Sequence, residues 1–308
     1  MALGAREKAL YFEQPLPKKI PTGSSARKLK RGGANLLAGR AFVYHLFPLS
    51  SVELNEPIDL VTELQFGQLP KILSFSKEAD KARFLMSYAS TYLKEEIAAE
   101  QIVKNLAPFR RFLEVAAQCN TKIINYASIA RDVGTTDVTV REYFSILEDT
   151  MIGFFLEPFH SSFRKRLSQK PKFYFFDTGI VRALARMLSV PLVPKTSAYG
   201  QAFLHLVMIE TMRLASYFYP EFRFSYIRTK DDAEIDLVVE RPGKPLLCIE
   251  IKSSADVTPK DLTSFIALSK DIPLSEAICL CNERTAKKYD SILVLPWQEG
   301  LRRYFMPT

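Results

Sequence analysis

At 308 residues the chain has length for about two domains, or three small ones, and a hydrophobic fraction of 47% suits a globular protein able to bury real cores. A net charge of +8 and a pI near 9.2 point to a polyanionic partner, nucleic acid foremost. Buried thiols fit better than a disulfide scaffold or a zinc site, and no membrane-spanning segment is expected. Cys119, Cys248, Cys279 and Cys281 form no C-x-x-C pair, the histidines are scattered, and no apolar run approaches the roughly 20 residues of a membrane span. With no signal-peptide h-region at the N-terminus, these features predict a cytoplasmic protein with reduced, buried thiols.

Residues 1 to about 40 are basic and turn-rich. Lys18-Lys19-Ile20-Pro21-Thr22-Gly23-Ser24-Ser25 leads into Arg27-Lys28-Leu29-Lys30-Arg31-Gly32-Gly33, which fits either a phosphate-facing loop or a solvated segment. No G-x-x-x-x-G-K-[ST] occurs anywhere, so no nucleotide-binding residue is expected. Phe42 to Leu49 is a strand candidate ended by Pro48, and Ser50 or Ser51 then caps a short helix carrying Glu53. From Glu78 to Gln118 the pattern is helical: Phe84, Leu85, Tyr88, Tyr92 and Ile97, then Ile102, Leu106, Phe109, Phe112 and Leu113, recur at three- and four-residue spacing and read as core.

Ile124 to Val133 is a short helix closed by Gly134. A second helix, Val138 to Asp149, is capped by Thr136 or Asp137 and turns Val140, Phe144 and Leu147 inward. Strands over Phe154–Phe159 and Lys172–Phe176 follow, joined by a loop containing Arg164, Lys165, Arg166 and Lys170. Helix, glycine turn, capped helix and basic-tipped hairpin predict a winged helix-turn-helix. Its second helix presents Thr139, Arg141 and Tyr143 to a groove of double-stranded DNA, and Arg164, Lys165, Arg166 and Lys170 reach phosphate. Winged helices also serve as protein–protein and interdomain modules, a reading the pattern leaves open.

A helix over Ile180–Leu188 and a linker at Pro191–Pro194 come next. The helix Gly200–Phe218 is apolar almost all round; its interior carboxylate, Glu210, shares a face with Phe203, Val207 and Leu214 and requires a partner or a metal. A strand Phe222–Arg228, a hairpin, a helix Asp261–Leu268 and strands Glu276–Cys281 and Ile292–Leu295 predict an α/β sheet covered by helices.

In that hairpin Ala233–Val239 and Leu247–Lys252 flank a Pro242-Gly243 turn. Folded about Gly243, it sets Asp236 opposite Glu250 and Glu234 opposite Lys252, all on one face. Facing carboxylates repel, so a cation or a raised pKa must offset them. Aspartate followed by Glu-x-Lys on the next strand is also how a magnesium nuclease is built: the acids hold the hard cation, and the lysine orients or deprotonates water and steadies charge on phosphate. The competing reading is an ordinary amphipathic hairpin with a Glu234–Lys252 surface ion pair and Asp236 and Glu250 on a solvated face.

With these residues laid out, the chain resembles a family of prokaryotic AAA-type ATPases whose C-terminal domain of unknown function is similar to PD-(D/E)xK nucleases. Similar stretches are Thr22–Ser25, Leu37–Arg40 with Phe47–Leu49 and Glu53-Leu54, Tyr92–Ile97, Phe112-Leu113 with Ala116-Ala117, and Phe175–Gly179. Arg228–Lys230 with Glu234–Asp236, then Glu250–Ser253, match the nuclease-like end. The resemblance implies a multidomain α/β chain. Residues 1–60 are a remnant of the AAA-type core, 61–120 a helical lid or linker, 121–178 the winged helix-turn-helix and 179–308 a restriction-endonuclease-like domain. Family members carry a longer N-terminal half with the Walker A and B motifs, so ATP binding is not carried over. Their long helix reads Gly-x-x-Phe-Glu where this chain has Gly200-Gln201-Ala202-Phe203-Leu204, which removes one metal carboxylate. Glu210, six residues on and about 9 Å further along the helix, matches a second acidic position and joins Asp236 and Glu250 as a candidate magnesium ligand.

The expectation is a DNA-binding protein with a degenerate or cryptic nuclease-like domain. The alternatives are a magnesium-dependent DNA endonuclease using Asp236, Glu250 and Lys252, and an ATPase subunit that needs a nucleotide-binding half from elsewhere. No membrane partner is expected; a homo-oligomer or a protein partner is left open.

Overall fold

The computed structural model describes residues 44–54, 58–92, 106–159 and 170–307. Outside them lie the basic N-terminal segment with Thr22–Ser25 and Leu37–Arg40, the stretch containing Ile97 and Ile102, and Arg164, Lys165 and Arg166. The described residues form nine α-helices and a mixed eight-stranded sheet, divided between two compact units. Residues up to Gln118, Tyr126–Phe154 and Phe175–Ser189 belong to the first unit; Cys119–Asn125, Phe155–Tyr174 and Val190 onward belong to the second.

The first unit is helical: α1 (Leu60–Phe66), α2 (Glu78–Ser87), α3 (Leu106–Gln118), α4 (Tyr126–Val133), α5 (Asp137–Asp149) and α6 (Thr178–Leu184). Gly134, at φ 74°, closes α4, with the Gly134 and Thr135 N–H groups both turned back to Ala130 O. Thr136 Oγ1 then accepts the Thr139 N–H at 3.2 Å and starts α5. The helix–glycine turn–helix expected from the sequence therefore forms, with Val140, Phe144 and Leu147 of α5 buried. Tyr143 belongs to the same stripe, because it stands at i+3 from Val140 and i−4 from Leu147. Its ring lies 5.0 Å from Phe109 and 5.2 Å from Phe112, centroid to centroid, inside the α3–α5 core.

Two N-terminal expectations are corrected. Residues 44–49 form no strand, and Ser50–Glu53 is a single turn rather than a helix. Glu53 N–H donates to Ser50 O, and the Glu53 carboxylate accepts from Ser50 N–H and Oγ, which satisfies the turn locally.

Asp177 anchors α6. Its buried carboxylate accepts the Ile180 N–H at 3.1 Å as the N-cap and the Gln68 N–H at 2.8 Å just past the end of α1. Gly67, at φ 71°, is the residue that permits this approach, since a Cβ there would collide with the Asp177 carboxylate.

The second unit is built on the sheet, in the order β2-β1-β3-β4-β5-β6-β8-β7. The strands are β1 (Gly153–Pro158), β2 (Lys172–Phe175), β3 (Arg223–Arg228), β4 (Glu234–Glu240), β5 (Leu246–Lys252), β6 (Ser275–Cys281), β7 (Lys287–Tyr289) and β8 (Ile292–Pro296). Helix α7 (Ser197–Phe218) packs on β5, α8 (Thr263–Lys270) on β4 and β6, and α9 (Trp297–Phe305) on β6 and β8. Covered on both faces, β5 is buried along its whole interior. Cys248, Cys279 and Cys281 are free, buried thiols on one face, packed with Val257, Leu262 and Phe265.

The strands expected to form a wing do form, but not as a free hairpin. β1 pairs in parallel with β3, Glu157 with Ser225 and Pro158 with Tyr226, so β1 and β2 complete the edge of the C-terminal sheet. The units accordingly do not divide at residues 178 and 179. The sheet edge gives the end of β1 backbone partners on β3, which an isolated two-stranded wing lacks.

Asp177→Ala removes two charge-assisted hydrogen bonds from a buried site and is expected to lower stability by about 3 kcal/mol, read as a shift in the urea midpoint. A change under about 0.5 kcal/mol would contradict the anchoring role.

Candidate functional site

The site is made by an irregularity in β4. Ser225 pairs with Val238, but two residues later Ile227 pairs with Ile235, so Tyr226 on β3 stands opposite both Asp236 and Leu237. This is a β-bulge, which re-aims side chains. Ile235 and Val238, three residues apart, consequently lie in one buried cluster, whereas an unbroken pleat would send them to opposite faces. On the other side of β4 the register is Val239↔Leu247, Val238↔Cys248 and Leu237↔Ile249, the one counted about Gly243. One step further places Asp236 against Glu250, and there the Ile251 N–H donates to Asp236 Oδ2 at 2.8 Å.

Asp236, Glu250 and Lys252 therefore converge. Glu250 is 8% exposed; its Oε1 lies 2.6 Å from Lys252 Nζ, and its Oε2 is buried without a hydrogen-bond partner. Burial first, and then the neighbouring Asp236 charge, push the Glu250 carboxyl up to about 8, against the pull of Lys252. Burial also raises Asp236, opposed by the Lys172 charge and the Ile251 N–H. At Lys252 burial works against the charge, but the Glu250 carboxylate outweighs it, and the ammonium pKa is raised.

Glu234 does not pair with Lys252. It is ion-paired with Lys172 of β2, and Arg228 Nη1 stands 3.8 Å from its other oxygen. The bulge separates Glu234 from the Asp236–Glu250 level, so the surface pair of the amphipathic-hairpin reading is absent among the described contacts. Lys172, Tyr174 and Tyr226 were not expected here. Lys172 Nζ lies 4.9 Å from the Tyr226 ring centroid. The Tyr174 hydroxyl is driven well up by burial and by the Asp236 and Glu234 charges, and Tyr226 is pushed up to about 12 by burial and Glu234. No local spacing links residue 172 to residue 234; only the K-x-Y pattern of a short buried strand hinted at a fixed lysine.

Glu210 is a correction. It is fully buried on α7 and pairs with Arg213 Nη1 at 3.1 Å, which supplies the partner its position demands. Among the described residues no three His, Cys, Asp or Glu side chains come together as a metal-binding group, so Glu210 does not complete a set with Asp236 and Glu250. Leu204 is partly exposed on the same helix, one turn from Gly200, where a Cβ would lie 3.6 Å from Ser253 Oγ at the end of β5.

The helix-turn-helix residues part company. Tyr143 is buried, a correction to its groove-facing placement, because the aromatic core of α3 claims its ring. Thr139 is half-buried with its hydroxyl 3.0 Å from Thr136 Oγ1 at the helix cap. Arg141 is exposed and stacks over Tyr126 at 4.0 Å. Around it α5 exposes Asp137, Glu142 and Glu148, an acidic surface for a helix expected to meet phosphates. Lys170 is exposed, and its carbonyl accepts the Tyr226 hydroxyl at 2.7 Å.

Because folding lifts the Glu250 pKa from an ordinary 4.5 to about 8, the folded chain holds this proton to higher pH than the unfolded chain. Without divalent cations, stability is expected to fall as pH rises between about 4.5 and 8, and Glu250→Gln to flatten that fall. Urea midpoints in chelator across this range measure it; parallel pH profiles for the two proteins would contradict the assignment.

Residues 58–190 match a family described as a domain of unknown function (DUF8612), and residues 199–299 match another described as a domain of unknown function (DUF4143). Residues 191–198, between the two matched segments, include the expected Pro191–Pro194 linker. An uncharacterized protein of Mycobacterium bovis and one of Mycobacterium tuberculosis are each 28% identical over 278 residues, covering 89% of this chain and 60% of the relative. The chain thus spans about 60% of the length of the curated relatives it matches. No solved structure matches. Among the described residues no helix is long and apolar enough to cross a membrane.

Proposed function

We propose that this chain is a cytoplasmic, duplex-DNA-binding protein whose C-terminal unit is a restriction-endonuclease-like domain with a one-cation centre at Asp236 and Glu250. The observation that carries the reading is Glu250 Oε2, a buried oxygen without a hydrogen-bond partner beside a second carboxylate. Such an oxygen is costly to desolvate unless a cation meets it. Magnesium fits the donor set, since it binds through one or two carboxylates and keeps several waters. When bound it supplies Lewis-acid polarisation of a phosphodiester oxygen.

The chain's own groups divide the remaining work. Asp236 and Glu250 hold the cation, and the Ile251 N–H fixes the Asp236 carboxylate in orientation. Lys252, with 35% of its side chain exposed, brings a positive charge from the Glu250 carboxylate to solvent, where a phosphate can reach it. Its raised pKa suits charge stabilisation and water orientation rather than proton abstraction. The acidic surface of α5 disfavours it as the reading helix, so polyanion contact is assigned to the Arg164–Lys170 loop and the net charge of +8.

A second reading, a scaffold without catalysis, is favoured by Leu204 in place of a carboxylate and by the lysine already seated on Glu250 Oε1. Calorimetry with Mg²⁺ or Mn²⁺ and nicking of supercoiled plasmid separate the two. The one-cation centre predicts heat of binding and metal-dependent nicking that falls about 100-fold or more in Asp236→Ala and in Lys252→Ala. Neither heat nor nicking leaves the scaffold. For the DNA contact, neutralising Arg164, Lys165 and Arg166 is expected to flatten the plot of log K against log salt by about 0.9 per lost phosphate contact. An unchanged slope removes the loop from the interface.

A further inference from the structure

The centre contains a cation of its own. Lys172 comes from β2, on the far side of β1 and β3 from Glu250 in the order of strands, and its side chain is only 4% exposed. Its Nζ is ion-paired with Glu234 Oε1, and among the groups acting on Asp236 it is the strongest that favours the charged carboxylate. The Tyr226 ring, 4.9 Å from Nζ, covers it, while the Tyr226 hydroxyl is tied to Lys170 O at 2.7 Å. A buried ammonium held this way meets carboxylate oxygens as a small metal ion would, but it is covalently attached and cannot exchange.

Charge counting shows what this does. With all three carboxylates ionised, as a bound cation requires, Glu234, Asp236 and Glu250 sum with Lys172 and Lys252 to one net negative charge, and Arg228 stands at the solvent-screened rim. One divalent cation and one phosphodiester bring the cluster to neutrality. A second divalent cation would leave two positive charges in a largely buried site, which is unfavourable.

We propose that Lys172 takes the place of a second metal ion, so that the centre accepts one divalent cation together with one phosphodiester anion and no more. The inference rests on Asp236 and Glu250 as cation ligands, and it assigns Lys172 as a positioning and charge-balancing residue rather than a catalytic one.

Manganese binding, counted by electron paramagnetic resonance and calorimetry on the full chain, tests it. Wild type is expected to bind one Mn²⁺ per chain, Lys172→Met two, and Lys172→Arg one. Wild-type stoichiometry and affinity in Lys172→Met would overturn the inference. Should that variant fail to fold, Lys172→Gln removes the same positive charge while keeping a neutral donor for Glu234. It is likewise expected to bind two Mn²⁺ per chain, and one Mn²⁺ at wild-type affinity overturns the inference. If wild type binds no Mn²⁺, the one-cation reading fails by itself, and Lys172→Met still decides: a new site upholds the role of Lys172, and none refutes it.

Discussion

Two carboxylates forced together inside a covered sheet are the constraint on which the second unit turns. Asp236 and Glu250 come from adjacent antiparallel strands, at the level where the Ile251 N–H goes to the Asp236 side chain. Burial makes their charges expensive, and proximity makes them repel. The surroundings answer with ammonium groups from two different strands, Lys252 on β5 and Lys172 on β2. Folding alone does not call for such an arrangement, since apolar residues of similar volume commonly pack as well as a buried ionic cluster. Under the proposed function the acids are kept for their chemistry, and the oxygen left over on Glu250 is where a cation would be met.

The bulge at Asp236 links this chemistry to the fold. It lets Ile235 and Val238 both join the core and still leaves room between them for a polar side chain. Recruiting β1 and β2 into the sheet has a matching consequence, because it brings Lys172, remote in sequence, to Glu234. Thus the strand that looked like half of a wing supplies the charge that tempers the acidic cluster. The first unit follows a different logic, in which α5 spends its apolar stripe, Tyr143 included, on α3 and shows solvent a mainly acidic face.

Much of the site was legible because a hairpin with a glycine turn has a countable register. Gly243 fixed the centre, and the register from Val239↔Leu247 to Leu237↔Ile249 followed by counting alone, with Asp236 against Glu250 as its next step. The bulge was not legible, since two-to-one pairing depends on β3, which the hairpin's own pattern does not contain. Glu234 was therefore assigned the wrong lysine. Tyr143 was misplaced for another reason: its i+3 spacing from Val140 already marked it as core, but the helix-turn-helix pattern put it with Thr139 and Arg141 on the groove-facing side. The α9 helix carried a readable i, i+4, i+8 stripe in Trp297, Leu301 and Phe305, all buried. The three-residue β7 carried no comparable signal, as two of its residues are lysines. Glu210 shows the limit of reasoning from one helix, because its partner Arg213 lay one turn away and answered the same need as a metal.

The most direct measurement is anomalous diffraction from crystals equilibrated with Mn²⁺. The account predicts a single strong peak within coordination distance of Glu250 Oε2 and an Asp236 carboxylate oxygen. A map with no peak there, or with manganese only at unrelated surface carboxylates, would contradict it.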